Sequence, residues 1–337
     1  MIASQWLQPG GWRNRSCSRS ITPRLSARLL LGINRGRQDM ASEQFLKLRE
    51  AIRYSMGGGG FGSVAGLRKA LEASAMPLPV GVVSQAVEAN GVPCEWQSTE
   101  NTTEDAVILY LHGGGYVGGS IASHRNLTGH LAKAAGCRVL SVEYRLAPEH
   151  QHPAPVEDAI AVYRWLLDQG ISAERVAICG DSAGGGLAVA TQVAIRDQQL
   201  PMPAASVPIS PWVDMEGVGA SLKTRAELDP MVSGDTLSTI AAFFLGPNGN
   251  PKDPLAAPLH ADLTGLPPML IHVGDHEVLL SDSERLAANA SAAGVDVVLE
   301  VWPDMIHVWH ALAGMCSEAD DAITRVAAFL QPHLALP

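Results

Sequence analysis

The sequence predicts an α/β fold: a mostly parallel central sheet, helices on both faces, and a helical cap. Three observations lead there. Short apolar runs of buried type recur along the chain, at 106–111, 138–142, 175–179, 205–209, 269–273 and 295–302. Amphipathic segments of helical period lie between most of them. One stretch, 211–267, breaks this rhythm and contains a short apolar helix candidate, Leu237 to Leu245. Continuous apolar strands alternating with helices mark a parallel sheet covered on both faces.

Taken in order, residues 43–76 read as helix, broken by the hinge Gly57-Gly58-Gly59-Gly60. Val80 to Trp96 alternates and turns at Asn90-Gly91, which is a hairpin signal and places antiparallel strands at one edge. The helices expected between the later strands are His124 to Ala135, Val156 to Asp168, Gly184 to Arg196, Ser281 to Ala293 and Glu318 to Leu330. Residues 43–76 and about 215–250 are the expected cap, over the carboxyl edge of the sheet where ligands bind in such folds. Residues 40–337 are then one domain.

The chain has 337 residues and is 47% hydrophobic, enough for one large core. Its net charge of −10 argues against a nucleic-acid partner. No apolar run reaches the roughly 20 residues that a membrane helix needs. Residues 1–39 stand apart, with seven arginines and only one acid, Asp39. That segment reads as an upstream extension of the gene start, with Met40 the beginning, or as a disordered or targeting extension. Five cysteines show no C-x-x-C and no even framework. Cys137 and Cys179 read as small core residues, and a reducing, cytoplasmic setting is expected. No histidine–cysteine cluster has metal-site spacing, and neither metal nor organic cofactor is expected.

The chemistry concentrates at Gly180-Asp181-Ser182-Ala183-Gly184, between the run ending at Cys179 and the helix candidate beginning at Gly184. A G-x-S-x-G on a strand–turn–helix is a nucleophile elbow, with Ser182 at its apex. Acyl transfer by a serine needs a base, an acid that holds the base, and donors for the developing oxyanion. His112-Gly113-Gly114-Gly115-Tyr116 follows the run 106–111 and supplies donors from Gly114 and Gly115, joined by the N–H of Ala183. A phosphate loop would want G-K-[ST], and no lysine follows. The base expected from chain order is His307, after the last strand, with His310 and His333 as rivals. Asp275, Glu277 and Asp282 all follow the run 269–273, and spacing alone does not choose among them. Tyr116 and Asp181 are the expected substrate-binding residues, Tyr116 walling the acyl pocket or packing under the cap, and Asp181 also hydrogen-bonding around the elbow.

These motifs resemble the hormone-sensitive lipase family of α/β-hydrolases, the bacterial esterase family IV. The resemblance spans about residues 45–332. It rests on His112 to Tyr116, Gly180 to Gly184, Glu143-Tyr144-Arg145-Leu146-Ala147-Pro148-Glu149 with Pro153-Ala154, Ser210-Pro211-Trp212-Val213-Asp214, and Met305-Ile306-His307. It implies a serine carboxylesterase with a Ser–acid–His triad, acting on small-molecule esters with short to medium acyl chains. Many family members carry Asp-Pro-Leu-x-Asp where this chain has Glu277-Val278-Leu279-Leu280-Ser281-Asp282. Aligning Leu279 with the family leucine puts Glu277 at the acid. Arg145, Glu149 and Asp158 are expected to form one buried polar cluster, and Asp214 to tie loops together. Amide hydrolysis on the same triad is the alternative activity. Plant hormone receptors resembling this family lack the catalytic histidine, so His307 argues against a receptor. Family members often dimerise through the last strand and helix, so the resemblance admits a homodimer.

Overall fold

The computed structural model describes residues 30–31, 41–56 and 62–336. The rest of the basic head segment, Met40, and the Gly57–Gly60 hinge lie outside the described residues. In chain order the elements are β1 (Leu30–Leu31), α1 (Glu43–Met56), α2 (Val64–Ala73), β2 (Val83–Ala89), β3 (Val92–Ser98), β4 (Thr103–Leu111), α3 (Ile121–Ala135), β5 (Cys137–Val142), α4 (Ala154–Asp168), β6 (Val176–Asp181), α5 (Ala183–Asp197), β7 (Ala205–Ile209), α6 (Ser221–Thr224), α7 (Gly234–Leu245), β8 (Met269–Gly274), α8 (Leu280–Ala292), β9 (Val297–Trp302) and α9 (Ser317–His333).

Among the described residues, nine strands form one sheet in the order β1-β9-β8-β7-β6-β4-β5-β3-β2. β2 and β3 pair antiparallel around Asn90-Gly91, and β3 runs antiparallel to β5. All remaining pairs are parallel. β1, the described part of the basic head segment, pairs its backbone with β9.

The alternation of β4 divides the core. Val107, Leu109 and Leu111 point to one face and pack with Val156, Ile160 and Tyr163 of α4 and Leu187 of α5. Ala106, Ile108 and Tyr110 point to the other and pack with Leu127 and Leu131 of α3 and Ile323 and Val326 of α9. A period of two residues thus feeds two separate apolar layers, which is why the strand reads as an unbroken apolar run. A third cluster joins β8 and β9 to α8, and a fourth packs Phe45 of α1 against Met305, Ile306 and Trp309.

The topology fixes where function lies. β4, β6, β7, β8 and β9 are parallel, so their carboxyl ends share one edge. Leu111 is in register with Gly180, Asp181 with Ile209, Ile209 with His272, and Gly274 with Trp302. The segments that follow these residues therefore begin side by side, although they lie far apart along the chain. Among the described residues, no helix is long and apolar enough to cross a membrane.

Candidate active site

Ser182 sits between β6 and α5 with φ +55° and ψ −122°. A non-glycine residue there is strained and persists only where its surroundings hold it. They do: its N–H donates to the Ile209 carbonyl at 2.8 Å, and its own carbonyl accepts from Trp212 and Gly186 at 3.0 and 3.1 Å. Gly184 is required by close approach. A Cβ there would lie 2.0 Å from the Leu111 carbonyl oxygen and 2.5 Å from that of His112. The helix thus starts against the end of β4, and the serine side chain is left facing the cavity.

His307 brings its imidazole to this serine from the loop after β9. Nε2 lies 2.9 Å from Ser182 Oγ, and Nδ1 lies 3.0 Å from Glu277 Oε2. A carboxylate only accepts, so Nδ1 carries the hydrogen and Nε2 is left to accept from the serine hydroxyl. Glu277 is fully buried, and its other oxygen accepts from Gly274 N–H at 2.6 Å and Ser210 Oγ at 2.8 Å. Burial pushes the Glu277 carboxyl up and His307 partly opposes it. Burial pushes His307 down, but the hydrogen bond and charge of Glu277 outweigh it, and the imidazole is held above its ordinary range.

The rival acids are turned elsewhere. Asp275 accepts from Asp304 N–H, and Asp282 accepts from Val213 and Asp214 N–H. His310 is buried against His272, with Nε2 at 3.0 Å from His272 Nδ1. His333 closes α9, where its ring meets Phe329.

The glycine loop after β4 stands beside the serine. Gly114 takes φ +115°, and a Cβ there would lie 2.3 Å from the Gly118 carbonyl oxygen. Among the described residues, the N–H groups of Gly114 and Gly115 donate to no protein acceptor. The N–H of Ala183 opens α5, where helical amides lack an intrahelical partner. Gly114 and Gly115 line the same cavity as Ser182. Asp181 anchors the loop, accepting from Tyr110 O–H at 2.8 Å and Gly113 N–H at 3.1 Å, with His124 Nε2 at 3.3 Å. Asp181 lines the cavity, whereas Tyr116, expected to bind substrate, does not: it is fully buried, with its ring stacked on Phe244 of α7.

A cavity of about 350 Å³ opens over these groups. Its floor includes Ser182, His307, Gly114 and Gly115, and its walls are mainly apolar, with Leu67 and Leu71 from α2 and Leu237 and Ile240 from α7. The expected three-membered polar cluster divides. Arg145 pairs with Asp158, whereas Glu149 pairs with Arg68 of α2, whose guanidinium also donates to the carbonyls of Val117 and Ala147. The division corrects the expectation, because the docking of α2 over this loop leaves no periodic trace in sequence. Asp214 does tie loops together, through Glu216 N–H, Val218 N–H and Arg285.

Sequence reasoning missed Ser210 and Asp229. Asp229, in the segment before α7, accepts from Met231, Val232 and Val278 N–H and so joins that segment to the acid loop. The motif containing Ser210 was visible, but not the contact that gives its hydroxyl a purpose. Asp214, Glu216 and His260 lie close enough to share a cation, yet Arg285 and Lys252 already pair with the two carboxylates. None of Ser182, Glu277 and His307 belongs to that group.

A family model described as an alpha/beta hydrolase fold matches residues 108–311. The chain is 49% identical over 224 residues to an acetyl-hydrolase of Streptomyces hygroscopicus, covering 66% of this chain and 75% of that protein. It is 35% identical over 236 residues to an ethyl acetate hydrolase of Pseudomonas putida, covering 68% and 74% respectively. A solved esterase from the bacterial hormone-sensitive lipase family superposes with a TM-score of 0.85 at 47% identity, covering 88% of this chain and all of the other.

Proposed function

The chain belongs to the hormone-sensitive lipase family of α/β-hydrolases and is a carboxylic-ester hydrolase, and we propose that it cleaves short- to medium-chain acyl esters through an acyl-enzyme on Ser182. Ser182 Oγ attacks the ester carbonyl while His307 Nε2 takes its proton. The tetrahedral oxyanion receives hydrogen bonds from Gly114, Gly115 and Ala183. His307 then gives the proton to the departing alcohol. Water repeats both steps on the acyl-enzyme and releases the acid. Glu277 keeps Nδ1 protonated and stabilises the imidazolium.

What carries this reading is the unbroken line Glu277 Oε2, His307 Nδ1, His307 Nε2, Ser182 Oγ, with steps of 3.0 and 2.9 Å. The substrate class is supported by the cavity, whose 350 Å³ lies at the small end for ligand pockets. Relatives named for acetyl and ethyl acetate hydrolysis favour a small acyl group. A cytoplasmic setting is supported by the unpaired thiols of Cys94, Cys137, Cys179 and Cys316.

Ser182→Ala tests the reading directly. It is expected to lower kcat on p-nitrophenyl butyrate by about 10⁴-fold or more and to abolish labelling by a fluorophosphonate. Undiminished turnover by that variant would remove Ser182 as nucleophile.

A further inference from the structure

We propose that Ser210 is a positioning residue of the triad, its hydroxyl holding the Glu277 carboxylate and the histidine loop in one arrangement. Ser210 follows β7, the strand between those that lead to Ser182 and to Glu277. It is fully buried, with φ +45°, and its N–H donates to the His272 carbonyl of β8 at 2.7 Å. Its Oγ lies 2.8 Å from Glu277 Oε1 and 3.2 Å from the N–H of Val308, the residue after the base.

The direction of both hydrogen bonds follows from chemistry. A carboxylate has nothing to donate, so the single hydroxyl hydrogen goes to Glu277. A backbone N–H has nothing to accept with, so Val308 donates to the hydroxyl oxygen. One hydroxyl therefore bridges the acid and the backbone that carries the base. Glu277 Oε1 is held by two donors, Ser210 and Gly274 N–H, while Oε2 serves His307 alone. Two donors on one oxygen fix the carboxylate plane. With only the Gly274 amide left, the carboxylate gains freedom about its last torsion, and Val308 N–H loses its acceptor. The acid then meets Nδ1 at a less defined angle, which weakens the imidazolium in the transition state more than it affects substrate binding. Ser210 does this without touching substrate.

The strained backbone offers a second handle. Glycine takes φ +45° readily and alanine does not. Ser210→Ala and Ser210→Gly both remove the hydroxyl but differ in opposite senses in what they do to the backbone. If the hydroxyl is what matters, both lose activity alike.

The proposal rests on the serine-esterase reading, so the full-length wild-type enzyme, inactivated by fluorophosphonate at Ser182, is the baseline. A wild type that hydrolyses esters without Ser182 overturns that reading, whereas the results below bear on Ser210 alone. Steady-state kinetics on p-nitrophenyl butyrate are expected to show kcat lowered about 10- to 100-fold in both Ser210 variants, the loss typical of a hydrogen bond to a charged group. KM is expected to stay within about twofold, as for an interaction used in the transition state. In a Glu277→Gln background, Ser210→Ala is expected to cost no more than about a further twofold, because residues acting through one another are not additive. Thermal melts identify the folded variants, and Ser210→Gly carries the test if Ser210→Ala does not fold. The proposal is overturned if either folded variant keeps kcat within twofold of wild type. It is equally overturned if KM takes the loss, or if the loss is undiminished without the Glu277 carboxylate.

Discussion

At the scale of single residues, the proposed base His307 and its partner Glu277 are expected to set the pH at which the enzyme works. The base must be neutral to receive the serine proton. Burial alone would favour that neutral form, but the adjacent carboxylate overrides it and holds the imidazole above its ordinary value of about 6.5. The acid limb of kcat/KM is therefore expected above pH 6.5, with activity rising as pH rises through it. Glu277→Gln removes the charge and leaves burial dominant, so the limb is expected to move to lower pH. Its plateau is expected to fall by about 10⁴-fold, the cost seen when a triad loses its tautomer anchor. A kcat/KM profile from acid to mildly alkaline pH, run on both proteins, measures the two effects together. An unshifted limb would take the anchoring role away from Glu277. Ser182 and His307 were legible in the sequence because each follows a strand in a fixed chain order. By spacing alone the acid was legible only as one of three, and it was the family resemblance that pointed to Glu277. Asp275 and Asp282 follow the same strand, and what separates them from Glu277 is which backbone N–H groups already occupy them.

Between elements, the tightest constraint is the contact of α5 with the end of β4. Helix propensity argues against glycines at 184–186, yet all three are buried in the first turns of α5. Packing decides instead. At Gly184 an added methyl group would overlap two carbonyl oxygens, one of β4 and one of the loop that follows it. Both are backbone atoms, so neither can rotate aside. Gly184→Ala is thus expected to push α5 away from β4, at about 1–3 kcal/mol or more. The same shift separates Ser182 from the amides of Gly114 and Gly115, so activity should fall further than the stability loss explains. A melting curve and a kcat measurement on the soluble fraction read the two consequences. Full activity at an unchanged Tm would mean that the contact is looser than described. The glycines were visible as a motif, and their flanking strand and helix as periodic runs. The Arg68 link from α2 to Glu149, Val117 and Ala147 was not, because it depends on how one element lies across another rather than on any period within either.

For the whole molecule, the fold was legible because β5 to β8 and most of β4 are buried on both faces and so write themselves as apolar runs, while the hairpin carried its own turn signal. Of the helices that line the cavity, α1 and α2 were legible as a helical stretch and α7 as a short apolar helix inside the one break in the rhythm, but not how they dock, because they pack through side chains rather than through the sheet. The same enclosure governs the four described cysteines, which are distributed over three of the four apolar clusters. Cys94 packs with the layer beneath α4, Cys137 and Cys179 with the layer beneath α3 and α9, and Cys316 with the cluster around Phe45. Burial pushes the thiols of Cys94 and Cys137 up to about 12, and those of Cys179 and Cys316 are also raised. Alkylation requires the thiolate and access to it, and these sites withhold both. Iodoacetamide at pH 8 is therefore expected to leave all four unmodified in the native protein and to modify all four in denaturant. Peptide mapping by mass spectrometry keeps each site separate, including Cys17, which lies outside the described residues. Each thiol then reports on its own layer. Fast native labelling of Cys316 alone would locate local opening in the cluster beside the His307 loop, whereas labelling of Cys137 or Cys179 would contradict the close packing of the sheet against α3 and α9.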